Sequence, residues 1–143
     1  MHPYFEKGVA ALVNARLLYI EKIGEAKEEV RKIGADAASI SWLAPKAVHM
    51  TIKLENVSSF AANIIKQEML GLGGDAAVNK GCADCSVEKT GVLLMGTYSQ
   101  ISRLVYKLSL HSAGLKGIGE EIRQVISAVD QGKPKYFECG KHK

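Results

Sequence analysis

Residues Val48-His-Met-Thr-Ile-Lys-Leu-Glu55 alternate strictly between apolar and polar, and this run constrains the fold more than any other part of the chain. In extended backbone successive side chains point to opposite faces, so Val48, Met50, Ile52 and Leu54 share one face while His49, Thr51, Lys53 and Glu55 share the other. The run is therefore a strand with one face in a core. Pro45 stands just ahead of it, where a missing amide donor does least harm. A second apolar run, Gly91-Val-Leu-Leu-Met95, is continuous instead of alternating, which predicts a central strand covered on both faces.

Around these runs the apolar period changes from two residues to three or four. From Glu21 to Ile33 the apolar positions are Ile23, Ala26, Val30 and Ile33, and Gly34 supplies the stop signal of a helix. Phe60, Ala61, Ile64, Ile65 and Met69 form the stripe of a second helix, which residues Asn56 to Ser59 can cap and Gly71-Leu-Gly-Gly74 ends. Asp75–Val78 reads as a short strand. Thr97 or Ser99 can cap a third helix with the stripe Ile101, Leu104, Val105 and Leu108, and the last helix, after Gly114, carries Leu115, Ile118, Ile122, Val125 and Val129. Nearer the ends, Tyr4, Phe5, Val9, Leu12 and Val13 predict a short amphipathic helix and Arg16-Leu-Leu-Tyr-Ile20 a strand. Beyond the break Asp130-Gln-Gly-Lys-Pro134, Tyr136-Phe-Glu-Cys-Gly140 predicts a strand as the sequence closes. Strands alternating with helices imply one α/β layered domain, a small mixed sheet flanked by helices, with α+β as the alternative.

The 143 residues suffice for one core, since a chain of this size buries roughly 68–70% of the surface its unfolded form exposes and needs no metal or disulfide staple. Nineteen Lys and Arg against fifteen Asp and Glu give a net charge of +4. The positive charges are dispersed, with no run of five or six, so no nucleic-acid partner is expected. No apolar stretch approaches the ~20 residues of a bilayer span. Met1 to Lys7 shows no leader pattern, so the expected location is the cytoplasm, with reduced thiols.

Cys82-Ala-Asp-Cys85 and Cys139-Gly-Lys-His142 together offer the inventory of a tetrahedral zinc site. A domain of this size folds without one, so the expectation is two loop thiols and a third in a terminal strand, with no metal and no cofactor. Redox use of Cys82 and Cys85 would require a helix N-terminus, whereas Ser86-Val-Glu-Lys-Thr reads as loop or strand edge. Met95-Gly-Thr-Tyr-Ser99 joins a buried strand to a helix start, where free amides and the helix dipole can hold an anion. Asn63 and Gln67 lie one turn apart on a polar helix face near Lys66 and can point together at a ligand. His49 and His111 stand alone, and no nucleophile or acid/base set is visible.

Lys53-Leu-Glu-Asn56, then Ala61-Ala-Asn-Ile-Ile-Lys-Gln-Glu-Met-Leu70, Gly73-Gly-Asp-Ala-Ala-Val78, and Val92-Leu-Leu-Met-Gly-Thr97 with Gln100 and Leu104 occur in an order and spacing that resembles the accessory domain preceding the catalytic barrel in long-form dihydropteroate synthases of some anaerobic bacteria and methanogens. Ala47 and Gly114-Leu-Lys-Gly-Ile-Gly119 fit the same pattern, and the likeness runs from about Arg16 to Val129. The tail Phe137 to Lys143 resembles the segment before the first barrel strand. The resemblance implies an accessory α/β domain over residues 1–132 and a linker or strand over 133–143 leading toward an absent, pterin-binding barrel of the same polypeptide. It also implies that the parent protein, a transferase, joins a pterin diphosphate ester to p-aminobenzoate in folate biosynthesis. None of the barrel's motifs is present, so this chain alone is expected to be a non-catalytic accessory or regulatory domain. Asn63, Lys66, Gln67, Gly73, Gly74, Asp75, Gly96, Thr97 and Gln100 are its candidate ligand- or interface-binding residues. The rival reading is a stand-alone small-molecule-binding α/β domain, and a homo-oligomer is a further candidate partnership.

Overall fold

A computed structural model describes residues 12–130. Of the helix predicted over Tyr4 to Val13, the part before Leu12 lies outside the described residues, as do the predicted strand Tyr136–Gly140, the linker 133–143, Cys139 and His142, while Leu12 and Val13 are exposed, irregular backbone. Helix α1 is Ile23–Ile33 and α2 is the short Ile40–Leu43, set between 3-10 turns at Ala37–Ser39 and Ala44–Lys46. Strand β1 is His49–Ser58, helix α3 Ser59–Gly71, strand β2 Asp75–Val78, strand β3 Lys89–Thr97, helix α4 Tyr98–Leu108 and helix α5 Ala113–Asp130.

The helix limits follow the predicted signals. Gly34 ends α1 at φ 88°. Ser58 caps α3 by accepting the Ala61 amide at 3.1 Å. Phe60 stands off the α3 stripe and is exposed, whereas Ala61, Ala62, Ile65 and Met69 are buried. Thr97, not Ser99, caps α4.

The fold is a small α/β domain, but its sheet is antiparallel throughout instead of mixed, with order β1-β3-β2. A strand–helix–strand unit usually leaves its two strands as parallel neighbours. Here β1, α3 and β2 form such a unit with a gap one strand wide, and β3 enters the gap antiparallel to both. Leu94 stands between Ile52 and Ala76, and Val92 between Leu54 and Val78. Together with Met50 they form the core face, on which α3 and α4 pack; α5 packs on α4. Ile101, Leu104, Leu108 and Ile122 are fully buried in that helical layer.

Among the described residues no helix lies on the other face of the sheet. His49, Thr51, Lys53, Asp75 and Ala77 are exposed there, with Leu93 and Met95 half-buried. Strand β3 is central, as expected, but the cover on both faces read from its continuous apolar run is wrong. Leu93 and Met95 are shielded by cross-strand neighbours, which reproduces in sequence the pattern of a strand buried on both sides. The β1–β3 register shifts between Leu54 and Val57, where Asn56 takes φ 58° and brings Val57 back into the core. The strand predicted at Arg16–Ile20 is irregular backbone. Only Ile20 of its β-favouring residues packs on the core, Leu17 being 74% and Tyr19 85% exposed, and β-propensity without packing along its length does not make a strand.

One-sided cover predicts an asymmetry within β3. Leu94→Ala should lower stability by ~2–5 kcal/mol in urea unfolding, the usual range for a fully buried leucine, and Leu93→Ala by less than ~1.5 kcal/mol, in keeping with its partial burial. Equal losses would indicate cover on both faces.

Candidate functional site

Five of the nine candidate residues meet where α3 ends and α4 begins, and Gln100 holds them together. Its side-chain oxygen accepts the Thr97 amide at 2.9 Å, while the Thr97 hydroxyl accepts the Gln100 amide at 3.1 Å, completing a capping box. Its side-chain nitrogen donates to the Leu72 carbonyl at 3.2 Å. The box thus satisfies two orphan amides of α4 and also ties the end of α3 to the end of β3. Gly73 turns the chain at φ 92°. Gly74 passes so close to β3 that a Cβ there would lie 2.8 Å from the Met95 carbonyl oxygen and would also overlap the Met69 methyl. Gly96 faces the Gln100 oxygen and the same methyl, each 2.9 Å from a hypothetical Cβ. The Tyr98 amide donates to the Val48 carbonyl at 2.8 Å. The Thr97, Tyr98 and Gln100 amides, which an anion at this turn would use, are therefore already engaged.

The remaining candidates are divided between other contacts. Lys66 donates to the Ala76 carbonyl at 2.6 Å and pairs with Asp75 at 3.2 Å, joining α3 to β2. Asp75 also accepts the Ala76 amide at 2.7 Å, and that bond, then the lysine, holds its carboxyl below the usual aspartate range. Asn63 donates to the Cys82 carbonyl at 2.8 Å, while Gln67 is exposed. The pair does not converge on a shared point. Cys82 is buried beside the Ser59 hydroxyl, and Cys85, exposed at φ 58°, closes a turn onto the Cys82 carbonyl at 3.1 Å. Among the described residues no three His, Cys, Asp or Glu side chains are grouped to hold a metal, and no helix is long and apolar enough to cross a membrane.

His111 is not isolated. Its ring nitrogen lies 3.0 Å from Glu68 on α3, and Lys107 approaches the same carboxylate at 3.5 Å. The histidine hydrogen bond, opposed by the cost of burial and supported in turn by the lysine charge, holds the Glu68 carboxyl below the usual glutamate range.

Sequence reasoning missed a groove between α4 and α5 with a volume of about 350 Å³. Tyr98, Ser102 and Tyr106 line it from α4 and Arg123, Ser127 and Asp130 from α5, over Val105 and Ile126. The signal available was the recurrence of Tyr98, Ser102 and Tyr106 every fourth residue, which reads as a solvated face until α5 is laid beside it. Burial and the nearby Asp130 charge raise the Tyr98 phenol pKa above its ordinary value, so it remains a hydrogen-bond donor.

Comparison with known proteins shows three relatives. The chain is 25% identical over 108 residues to the bifunctional dihydropteroate synthase/dihydropteroate reductase of Helicobacter pylori, covering 76% of this chain and 28% of that protein. It is 36% identical over 101 residues to a probable bifunctional folylpolyglutamate synthase/dihydropteroate synthase of Haloferax volcanii, covering 69% and 12%. A protein of the same name from Halobacterium salinarum is 26% identical over 107 residues, covering 75% and 13%. The chain thus spans between about an eighth and little more than a quarter of the relatives it matches, and is related to a part of proteins that contain dihydropteroate synthase. No family model and no solved structure matches it.

Two outcomes follow from these contacts. Gly74→Ala should cost ~1–3 kcal/mol because backbone must move, and Gln100→Ala ~1 kcal/mol or more through lost caps, whereas Gly96→Ala should cost less than Gly74→Ala because only flexible side-chain ends are displaced; chemical unfolding of the three variants gives the order. Because the folded-state pKa of Glu68 is depressed, the unfolded chain takes up its proton first on acidification. The stability from Glu68 is complete at neutral pH and is lost as pH falls through the carboxylate range. Glu68→Gln should flatten that part of the stability–pH curve, and an unchanged acid slope would contradict it.

Proposed function

We propose that this chain is a folate-pathway module that accompanies a dihydropteroate synthase and does not itself condense pterin diphosphate ester with p-aminobenzoate. One observation carries the reading: relatives from a bacterium and two haloarchaea differ in their second named activity but share dihydropteroate synthase. The matched stretch of 101–108 residues is less than half of the ~250 a catalytic barrel requires, which supports reading the chain as a module beside the barrel. The engaged amides of the β3–α4 turn and the ties around Gln100 fit a rigid accessory domain over residues 1–132, with 133–143 as the connection to the barrel.

A second reading is favoured by the name of the Helicobacter relative, in which the part outside a synthase barrel has a reductase activity to account for. On that reading the chain reduces dihydropteroate. The β3–α4 turn does not build the phosphate cradle of a dinucleotide, since its Thr97, Tyr98 and Gln100 amides are occupied, and no step is assigned to it.

The chain incubated alone with pterin diphosphate ester and p-aminobenzoate should yield no dihydropteroate. Added to the synthase barrel of the same organism, it should change turnover or KM by a factor of ~5 or more, the lower end of ordinary coupling between linked sites. Oxidation of NADPH or reduced flavin that depends on dihydropteroate would select the second reading. Dihydropteroate formation by the chain alone would overturn the first.

A further inference from the structure

We propose that the groove between α4 and α5 binds an extended aryl carboxylate of the pteroate type, with Arg123 meeting the carboxylate and Asp130 the hydrogen-bond-donating edge of the pterin ring; this rests on the folate reading above. The groove has the size of a small-molecule site, about 350 Å³ against the ~300–1,000 Å³ common for such pockets. Its floor is aliphatic, from Val105 and Ile126, and tyrosine rings stand toward both ends. Flat aromatic ligands gain from such walls through stacking.

The charges decide the ligand class. Arg123 and Asp130 are seven residues apart on α5, which places them on one face with a rise of ~10.5 Å between them. The short connection between α4 and α5 makes the helices antiparallel, so Tyr98 lies at the Asp130 end and Tyr106 toward Arg123. The influence of the Asp130 charge on the Tyr98 phenol locates that end independently. A ligand matching this order is long and flat, with an anion at one end and N–H donors at the other. Pteroate has a carboxylate on its benzoyl ring and an amino-pyrimidinone edge at the far end, whose adjacent N–H groups suit a carboxylate acceptor. Ser102 and Ser127 stand along the groove between the two ends.

Glu120 already accepts from Arg123 Nε at 3.1 Å and from Nη2. A guanidinium carries five donors, so the Nη1 edge is left for an incoming carboxylate. The pair is more than half exposed on both sides and exposed pairs are weak, so re-aiming Arg123 toward a ligand meets little resistance.

Isothermal titration of the full chain with pteroic acid tests the proposal, using Arg123→Gln and Asp130→Asn. Both side chains are exposed, and thermal melts of the variants should match the parent. The expected result is saturable binding that weakens about tenfold or more in each variant, the scale of one lost hydrogen bond to a charged group. p-Aminobenzoate, which lacks the pterin edge, should bind more weakly and respond to Arg123→Gln but not to Asp130→Asn. Absence of pteroic acid binding at millimolar concentration, or binding indifferent to both substitutions, overturns the groove assignment. Either result leaves the link to dihydropteroate synthase standing, because that is tested by the effect of the chain on the barrel.

Discussion

The insertion of β3 between β1 and β2 is the constraint from which the rest of the molecule follows. With β3 in the gap, α3 must carry the chain from β1 to β2 across one intervening strand and bring it down beside the C-terminal end of β3. The return has little room. Gly73 supplies the left-handed turn and Gly74 the close approach to the Met95 carbonyl, and Gln100 locks the finished crossing by bonding to both the α3 terminus and the α4 cap. Leu94, flanked by Ile52 and Ala76, supplies the buried centre on which α3 and α4 rest.

The stretches Ala61–Leu70, Gly73–Val78 and Val92–Thr97 thus build this crossing together. Lys66 and Asp75 reinforce it on the β2 side, and Asn63 pins the loop that contains Cys82 to α3. Polar groups spent on the crossing are not available to a ligand, so the recognition proposed above falls to the periphery. The α4–α5 hairpin supplies a surface there with aromatic walls and opposite charges at its ends.

Much of the fold was legible because periodicity reports burial directly. The alternation from Val48 to Glu55, the α3 stripe and the Thr97 cap all appear where the residues placed them. Strand pairing was not legible: the β-α-β order suggests parallel neighbours, and nothing local in Lys89–Thr97 announces insertion between two earlier strands. Leu93 and Met95 imitate the interior because half-burial and full burial select the same residue types. Arg16–Ile20 shows the reverse error, propensity without packing along its length. In the candidate site, the fold brings together Gly73, Gly74, Gly96, Thr97 and Gln100 from separate stretches of the chain, and the sequence could not reveal that the polar groups of Thr97 and Gln100 are spent on each other and on the α3 terminus. The polar groove residues were invisible for a complementary reason, since they lie off the apolar stripe of their own helix and only the pairing of two helices makes a site.

Backbone amide shifts recorded while pteroic acid is titrated into the chain test most directly the division between a closed crossing and a recognising hairpin. The account predicts perturbations concentrated at Tyr98, Ser102, Tyr106, Arg123 and Ser127, with Leu72 to Asp75 and Gly96 to Thr97 nearly unmoved. Perturbations centred on Gly73, Gly74 and Gly96, with the hairpin silent, would contradict it.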